Sequence, residues 1–444
     1  IISELDEFPL LRKLMSVCSL PDSELEKLFQ QLRASILENF LSLKETSPEL
    51  FRFQSALALQ CFTNEYIYSQ SQNEEKAINV LENQIKELLS NNEQPSPLAI
   101  LILASYKALH KYDWCQSLIV THQIQEVFTR MFEEPNQEEK LKLNFPMLEE
   151  ISNKVSLNVR EQYEERPYPR WVNLRLKLEP ASISKVVKEL QLKLHCEKIN
   201  EVKNPNILIA GCGTGQHSIT TSARFKSSKV LAIDLSLSSL AYAKRKTEEL
   251  AIENIEYMQA DILDLTQLGR QFNVIESAGV LHHMDDPMAG WRVLTNCLNT
   301  GGLMKIGLYS ELARQHISEM REEIGELGLT LSDEVMRSFR RTVIDSDEEH
   351  HKKIITTGDF YSLSALRDLL FHVQEHRFNI PQIKKCLDEL GLKFCGFEDQ
   401  NIVNDFKQNN PEPDSVLDLD KWHSYEQAKP ESFYRMYQFW CQKS

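Results

Sequence analysis

Three glycines spaced by single residues, in Gly211-Cys212-Gly213-Thr214-Gly215, follow the apolar run Asn206–Ala210 and precede a helix-like segment, Gln216–Arg224. A turn of that composition tolerates positive φ and lets a ligand press against bare backbone, where a side chain would clash with a nucleotide. The first amides of the following helix would face the same ligand, as they do for nucleotides on open α/β sheets. Asp234 lies 19 residues beyond Gly215, about where a carboxylate that accepts ribose hydroxyls is expected. By itself the turn also suits an ordinary tight loop or a nicotinamide dinucleotide site.

His282 and His283 follow another apolar run, Phe272–Ile275, within Val280-Leu281-His282-His283-Met284. At the edge of a sheet an imidazole can take a proton from a substrate or hydrogen-bond to it, and the same pair can equally shape the loop. His372, Glu375 and His376 spell His-x-x-Glu-His, which on a helix puts two imidazoles on one face at a zinc-ligand spacing. No third ligand is identifiable, so these residues are expected to line a pocket or join a polar network, and no metal is expected. Tyr163, Arg166, Tyr168, Arg170 and Trp171 would form an aromatic and cationic wall over a ligand, or a linker pinned by its rings.

Such residues need a sheet to hold them. Lys229–Ile233, Ile255–Met258, Phe272–Ile275 and Leu303–Leu308 read as further strands, each separated from the next by a helix-length segment, which means parallel pairing with right-handed crossovers. Lys393–Glu398 and Tyr434–Cys441 read as two more, and Ile183–His195 as a helix feeding the first strand. Residues 1–150 read almost entirely as helix. Apolar positions recur at three- and four-residue spacing in Leu25, Leu28, Phe29, Leu32, Ile36 and Leu37, and in Ile78, Leu81, Ile85 and Leu88. Ser47-Pro48 and Ser96-Pro97 put a capping hydroxyl before a proline, a common helix opening. A helical bundle or solenoid follows, without an internal period of tetratricopeptide length. Residues 151–183 carry three prolines and suit a linker or lid draped over a neighbouring domain.

The order Gly-x-Gly-x-Gly, acid after the second strand, Ala260-Asp261 after the third and Leu281-His282-His283-Met284 after the fourth resembles the class I S-adenosylmethionine-dependent methyltransferases. The likeness covers roughly residues 200–310. It implies a Rossmann-like α/β sheet of seven strands, the last two antiparallel at one edge. It also implies that Gly211, Gly213 and Gly215 line the methionine end of the cofactor, that Asp234 takes the ribose and that Ala260 with Asp261 holds the adenine. Cys212, Ile262 and Glu276 join that expected cofactor set, and His282 and His283 are the expected catalytic pair. The blocks Arg160–Trp171 and Asp368–Phe378 resemble stretches of bacterial proteins that join a helical, often tetratricopeptide-containing, region to such a domain. The domains expected are thus a helical 1–150, a linker or lid 151–183, and a methyltransferase domain 184–444. A helical insertion at about 311–391 is expected to cover the acceptor, with Tyr163, Arg166, Tyr168, Arg170, His372, Glu375 and His376 on the substrate side.

The implied function is methyl transfer from S-adenosylmethionine to a protein, peptide or small-molecule acceptor. The alternative is a scaffold that only binds cofactor or a partner. At 444 residues, 42% of them hydrophobic, the chain has room for two or three packed domains. A formal charge of −15 without a dense basic stripe disfavours a nucleic acid acceptor. Nine scattered cysteines, no membrane-length apolar stretch and no signal-peptide pattern point to a reducing cytoplasm. The chain opens on isoleucine, which leaves room for native residues upstream. All expected nucleotide contacts fall after residue 184, so cofactor binding should survive removal of 1–150.

Overall fold

A computed structural model describes residues 1–40, 47–177, 179–329 and 331–444. They divide into two compact units. One comprises Ile1–Lys140, Pro169–Asn173 and Glu319–Phe371; the other comprises Leu141–Tyr168, Leu174–Ser318 and His372–Ser444. None of the helices is long and apolar enough to cross a membrane among the described residues.

The second unit is built on a seven-stranded sheet: β1 Asn206–Ala210, β2 Lys229–Asp234, β3 Ile255–Gln259, β4 Phe272–Ala278, β5 Leu298–Leu308, β6 Leu392–Phe397 and β7 Tyr437–Lys443. The spatial order is β3-β2-β1-β4-β5-β7-β6. The first five strands pair in parallel, and β7 runs antiparallel between β5 and β6. β1, β2 and β5 are nearly continuous runs of buried residues, because helices cover both faces of such a sheet. The strand order reverses between β1 and β4. That reversal opens a crevice at the carboxyl ends of the two strands, where ligands bind in open α/β sheets.

The helix expected over Ile183–His195 stops at Glu189, and Gln191 turns the chain with φ of 53°. The segment expected as a linker holds a helix, Lys154–Glu165, capped by Asn153. Just before it, the chain at Pro146–Leu148 pairs with Gln259 at the end of β3.

The first unit is helical. Ser47 and Ser96 cap the helices Pro48–Thr63 and Pro97–Ala104 by accepting the Leu50 and Ala99 amides, and Ser71 with Glu74 forms a capping box on Gln72–Ser90. Phe29, Ile36 and Leu37 of the helix Ser23–Asn39 and Ile78, Leu81 and Ile85 of Gln72–Ser90 turn into its core.

The sequence pattern placed 311–391 beside the sheet as one insertion, and the structure corrects this. Its middle part, Glu319–Phe371, belongs to the helical unit. On the helix Asp333–Ile344, Met336, Phe339, Arg340 and Val343 are buried along one face. Arg340 forms two hydrogen bonds of 2.6 Å to the Glu26 carboxylate and one to the Phe360 carbonyl. The Ser364 amide donates to Glu65 at 2.6 Å, and Arg337 donates to the Tyr66 carbonyl. An amphipathic pattern demands a partner surface without naming which one, so the assignment needed three dimensions.

Candidate functional site

All three glycines of the turn have positive φ: 76° at Gly211, 52° at Gly213 and 87° at Gly215. A Cβ at Gly211 would stand 2.3 Å from Val280 Cγ2, and one at Gly215 would stand 2.6 Å from Ala243 Cβ. Those two glycines therefore admit the protein's own chain, a reason different from the ligand clash expected. At Gly213 a Cβ would meet only the Tyr168 carbonyl, at 3.0 Å, so this is the glycine that keeps backbone bare.

Asp234 ends β2 beside the turn. Its carboxylate accepts the Gly213 amide at 2.7 Å and the Ser236 amide at 3.0 Å. Burial, with Glu164 nearby, outweighs the backbone amides and pushes the Asp234 carboxyl above its ordinary value. One carboxylate thus fixes the turn of β1 to the end of β2. Glu164, which the sequence reading missed, accepts the Ser238 amide and the hydroxyls of Ser236 and Ser238 at the start of the helix Leu237–Glu249. It anchors the helix Lys154–Glu165 there, and its only sequence signal was a place within the Arg160–Trp171 block.

Ala260 follows β3 and donates its amide to the Asp234 carbonyl. Asp261 caps the turn beyond by accepting the Leu263 amide at 3.0 Å, while Ile262 is buried within the apolar core. Cys212 is buried, and burial holds its thiol well above the ordinary value. Glu276 on β4 is fully buried. Its Oε2 receives His217 Nε2 at 2.5 Å and the Thr221 hydroxyl at 2.9 Å, whereas Oε1 has no hydrogen-bond partner among the described residues. Burial pushes this carboxyl up, but His217, Lys305 and Arg224 outweigh it and hold it at about 2. Lys305 and Arg224 also pair with Glu398, at 2.7 and 3.0 Å, so the charges inside this part of the unit compensate each other.

The imidazoles gather where β4 and β5 end. His282 and His283 lie in the short turn Leu281–His283, both buried. His282 stacks on Tyr309 at 3.8 Å between centroids, and the Arg314 guanidinium lies over the same tyrosine at 3.6 Å. Neither ring nitrogen of His282 has a hydrogen-bond partner among the described residues. Burial above all, then His283, Arg314, His372 and His376, keep it well below the ordinary histidine value, so the ring is neutral. His283 stacks on His372 at 3.6 Å and reaches the Gln374 carbonyl at 2.7 Å through Nδ1. His372 Nε2 in turn lies 3.2 Å from the Tyr163 hydroxyl.

The helix assumed for His-x-x-Glu-His is absent: Leu363–Phe371 ends before it, and residues 372–377 form an irregular segment. The residues therefore serve separate roles. His372 joins the stack, Glu375 pairs with the buried Arg314 at 3.0 Å, and His376 Nε2 lies 3.2 Å from the Asp285 carbonyl. The aromatic wall also divides. Tyr163, Arg166 and Tyr168 belong to the sheet unit, where Arg166 ends the helix Lys154–Glu165. Arg170 and Trp171 belong to the helical unit, where Arg170 lies over the Phe62 ring and 4.0 Å from Glu65. Tyr309 and Arg314 escaped the sequence reading because neither stands in a motif, although both follow β5 closely.

Residues 207–302 match a methyltransferase domain model. An uncharacterized protein of Synechococcus is 28% identical over 240 residues, 51% of this chain and 57% of that protein. A malonyl-[acyl-carrier protein] O-methyltransferase of Ilyobacter polytropus is 27% identical over 203 residues, 46% of this chain and 68% of that protein. The chain thus spans little more than half the length of the first of these relatives. Among solved structures, PKMT2 of Rickettsia typhi in complex with AdoHcy aligns over 62% of this chain and 55% of its own, at 16% identity and a TM-score of 0.44. With the glycine turn and the acid after β2 in place, and the sheet ordered 3-2-1-4-5-7-6 around them, residues 207–302 are an S-adenosylmethionine-dependent class I methyltransferase domain.

Proposed function

We propose that the whole chain is a methyltransferase that passes the methyl group of S-adenosylmethionine to an acceptor held near His282 and His283. The observation that carries this reading is the turn Gly211–Gly215, tied through the Gly213 amide to Asp234 at the point where the strand order reverses. Bare backbone at Gly213, the Asp234 carboxylate and the buried Asp261 suit the methionine, ribose and adenine parts of one nucleoside. Bound there, the cofactor supplies a sulfonium methyl that is already electrophilic. The chain's own tasks are to orient an acceptor, exclude water and receive a proton where the acceptor must lose one.

The imidazole stack supports those tasks. His282 is neutral and offers two uncommitted nitrogens, so it can accept a proton or a hydrogen bond. Tyr309 and His283 fix its orientation by ring contact. His372, Tyr163 and the Arg314–Glu375 pair hold the surrounding wall. An acidic chain with a helical unit suits a protein or peptide acceptor as well as a small molecule, and argues against a nucleic acid. Free cysteines throughout support a cytoplasmic setting. Intact protein mixed with S-adenosylmethionine and lysate fractions tests the reading by mass spectrometry. We expect an acceptor to gain the mass of one methylene, and lose that gain in Asp234→Ala. Cofactor binding with no methylated product in any fraction would favour a scaffold.

A further inference from the structure

The helix Glu349–Ile355 presents two consecutive imidazoles to one carboxylate. His351 Nε2 lies 2.7 Å from Glu323 Oε2, and His350 Nε2 lies 3.4 Å from the same oxygen. All three ligand atoms fall within 4.8 Å of one another, and the two rings are 4.2 Å apart between centroids. All three residues belong to the helical unit.

Both imidazoles aim a ring nitrogen at the same carboxylate oxygen, and two imidazoles this close repel each other if both are charged. A divalent cation removes the conflict, since it takes neutral imidazole nitrogens and a carboxylate oxygen together. Tetrahedral zinc with bonds of about 2.0–2.1 Å sets its ligand atoms roughly 3.3 Å apart. The His350 to Glu323 spacing already meets that value, and the His351 to Glu323 contact needs to open by only about 0.6 Å. His351 is buried, which fixes one ligand, while Glu323 and His350 are partly exposed and leave a path for an ion and a water.

We propose that Glu323, His350 and His351 form a three-ligand site for a borderline divalent transition-metal ion, of the zinc, cobalt or nickel kind, with water as the fourth ligand. The ion pins Glu323 to the helix Glu349–Ile355. The sequence reading weighed only His-x-x-Glu-His and expected no metal; this site lies elsewhere, in a spacing no linear motif shows.

The test uses the full chain, free of any affinity tag and stripped with a chelator, titrated with cobalt(II) and separately with zinc chloride. We expect about one equivalent bound, the strong visible absorption of a tetrahedral cobalt site, displacement by zinc, and a raised melting temperature. His351→Asn and Glu323→Gln should each weaken binding by at least about 100-fold, and His122→Asn, in the same unit but outside the cluster, should leave it unchanged. Circular dichroism confirms that the variants are folded. No cobalt binding by the wild type, or binding that survives both substitutions, overturns the proposal.

Discussion

At the scale of single residues, the glycine turn separates two kinds of constraint. Alanine at Gly215 meets both a left-handed φ of 87° and a neighbour 2.6 Å away, so we expect a loss of roughly 2 kcal/mol or more and a melting temperature lower by several degrees. Alanine at Gly213 meets a left-handed φ of 52° and one carbonyl at 3.0 Å, a looser fit than at Gly215, and should cost less stability while weakening the cofactor, a contrast that paired melting curves and titrations would show. Equal stability losses at the two positions would contradict it. Asp234→Ala removes the acceptor of the Gly213 amide together with the expected ribose contact, and cofactor affinity should fall at least about tenfold, for a charge-assisted bond worth roughly 1.5–3 kcal/mol. His282 governs behaviour in mild acid. Its pKa is depressed in the folded chain, so the unfolded chain binds the proton first below about pH 6.5. Stability is whole above that pH and falls below it, by up to about 1.4 kcal/mol per pH unit. Glu276 adds a second loss at lower pH, as its carboxyl passes from the ordinary range near 4.3 toward about 2. Denaturant melts between pH 8 and 5 should show a flatter slope for His282→Phe, which keeps a ring against Tyr309; an unchanged slope would place the acid sensitivity elsewhere.

At the scale of elements, the sheet was legible because parallel strands buried on both faces read as near-continuous buried runs, and β1, β2 and β5 are such runs. The serine-proline caps were legible because capping is local chemistry. His-x-x-Glu-His misled because its spacing carries meaning only on a helix, and Leu363–Phe371 ends before the motif begins. The stack of Tyr309, His282, His283 and His372 was half legible: the pair at 282–283 follows a strand, whereas Tyr309 joins it from β5 and His372 from a distant segment. The helix Asp333–Ile344 shows the same limit, since nothing local to Arg340 announces Glu26. Arg340→Ala strands the Glu26 carboxylate in the interior and should cost about 3–5 kcal/mol, while the double change Arg340→Met with Glu26→Met should recover most of that loss. Denaturant unfolding measures both. A single substitution without effect would mean that the pair is hydrated.

At the scale of the whole molecule, the two units do not follow the order of the chain. Residues 319–371 are covalently an insertion after β5, yet they complete the core that begins with residues 1–140. Deleting 1–150 would strip Met336, Phe339, Arg340 and Val343 of partners and also remove Pro146–Leu148 from the edge of β3, so we expect an insoluble remainder. A cut that removes 1–140 and replaces 319–371 with a short linker should leave a soluble sheet unit, and fractionation of the two truncations compares them. The central claim, that this unit holds S-adenosylmethionine, is tested most directly by calorimetry of the intact chain with S-adenosylmethionine, its demethylated product and NAD in parallel. We expect saturable binding of the first two at micromolar concentration or tighter and none of NAD. Saturation by NAD with no heat from either sulfur nucleoside would contradict the assignment.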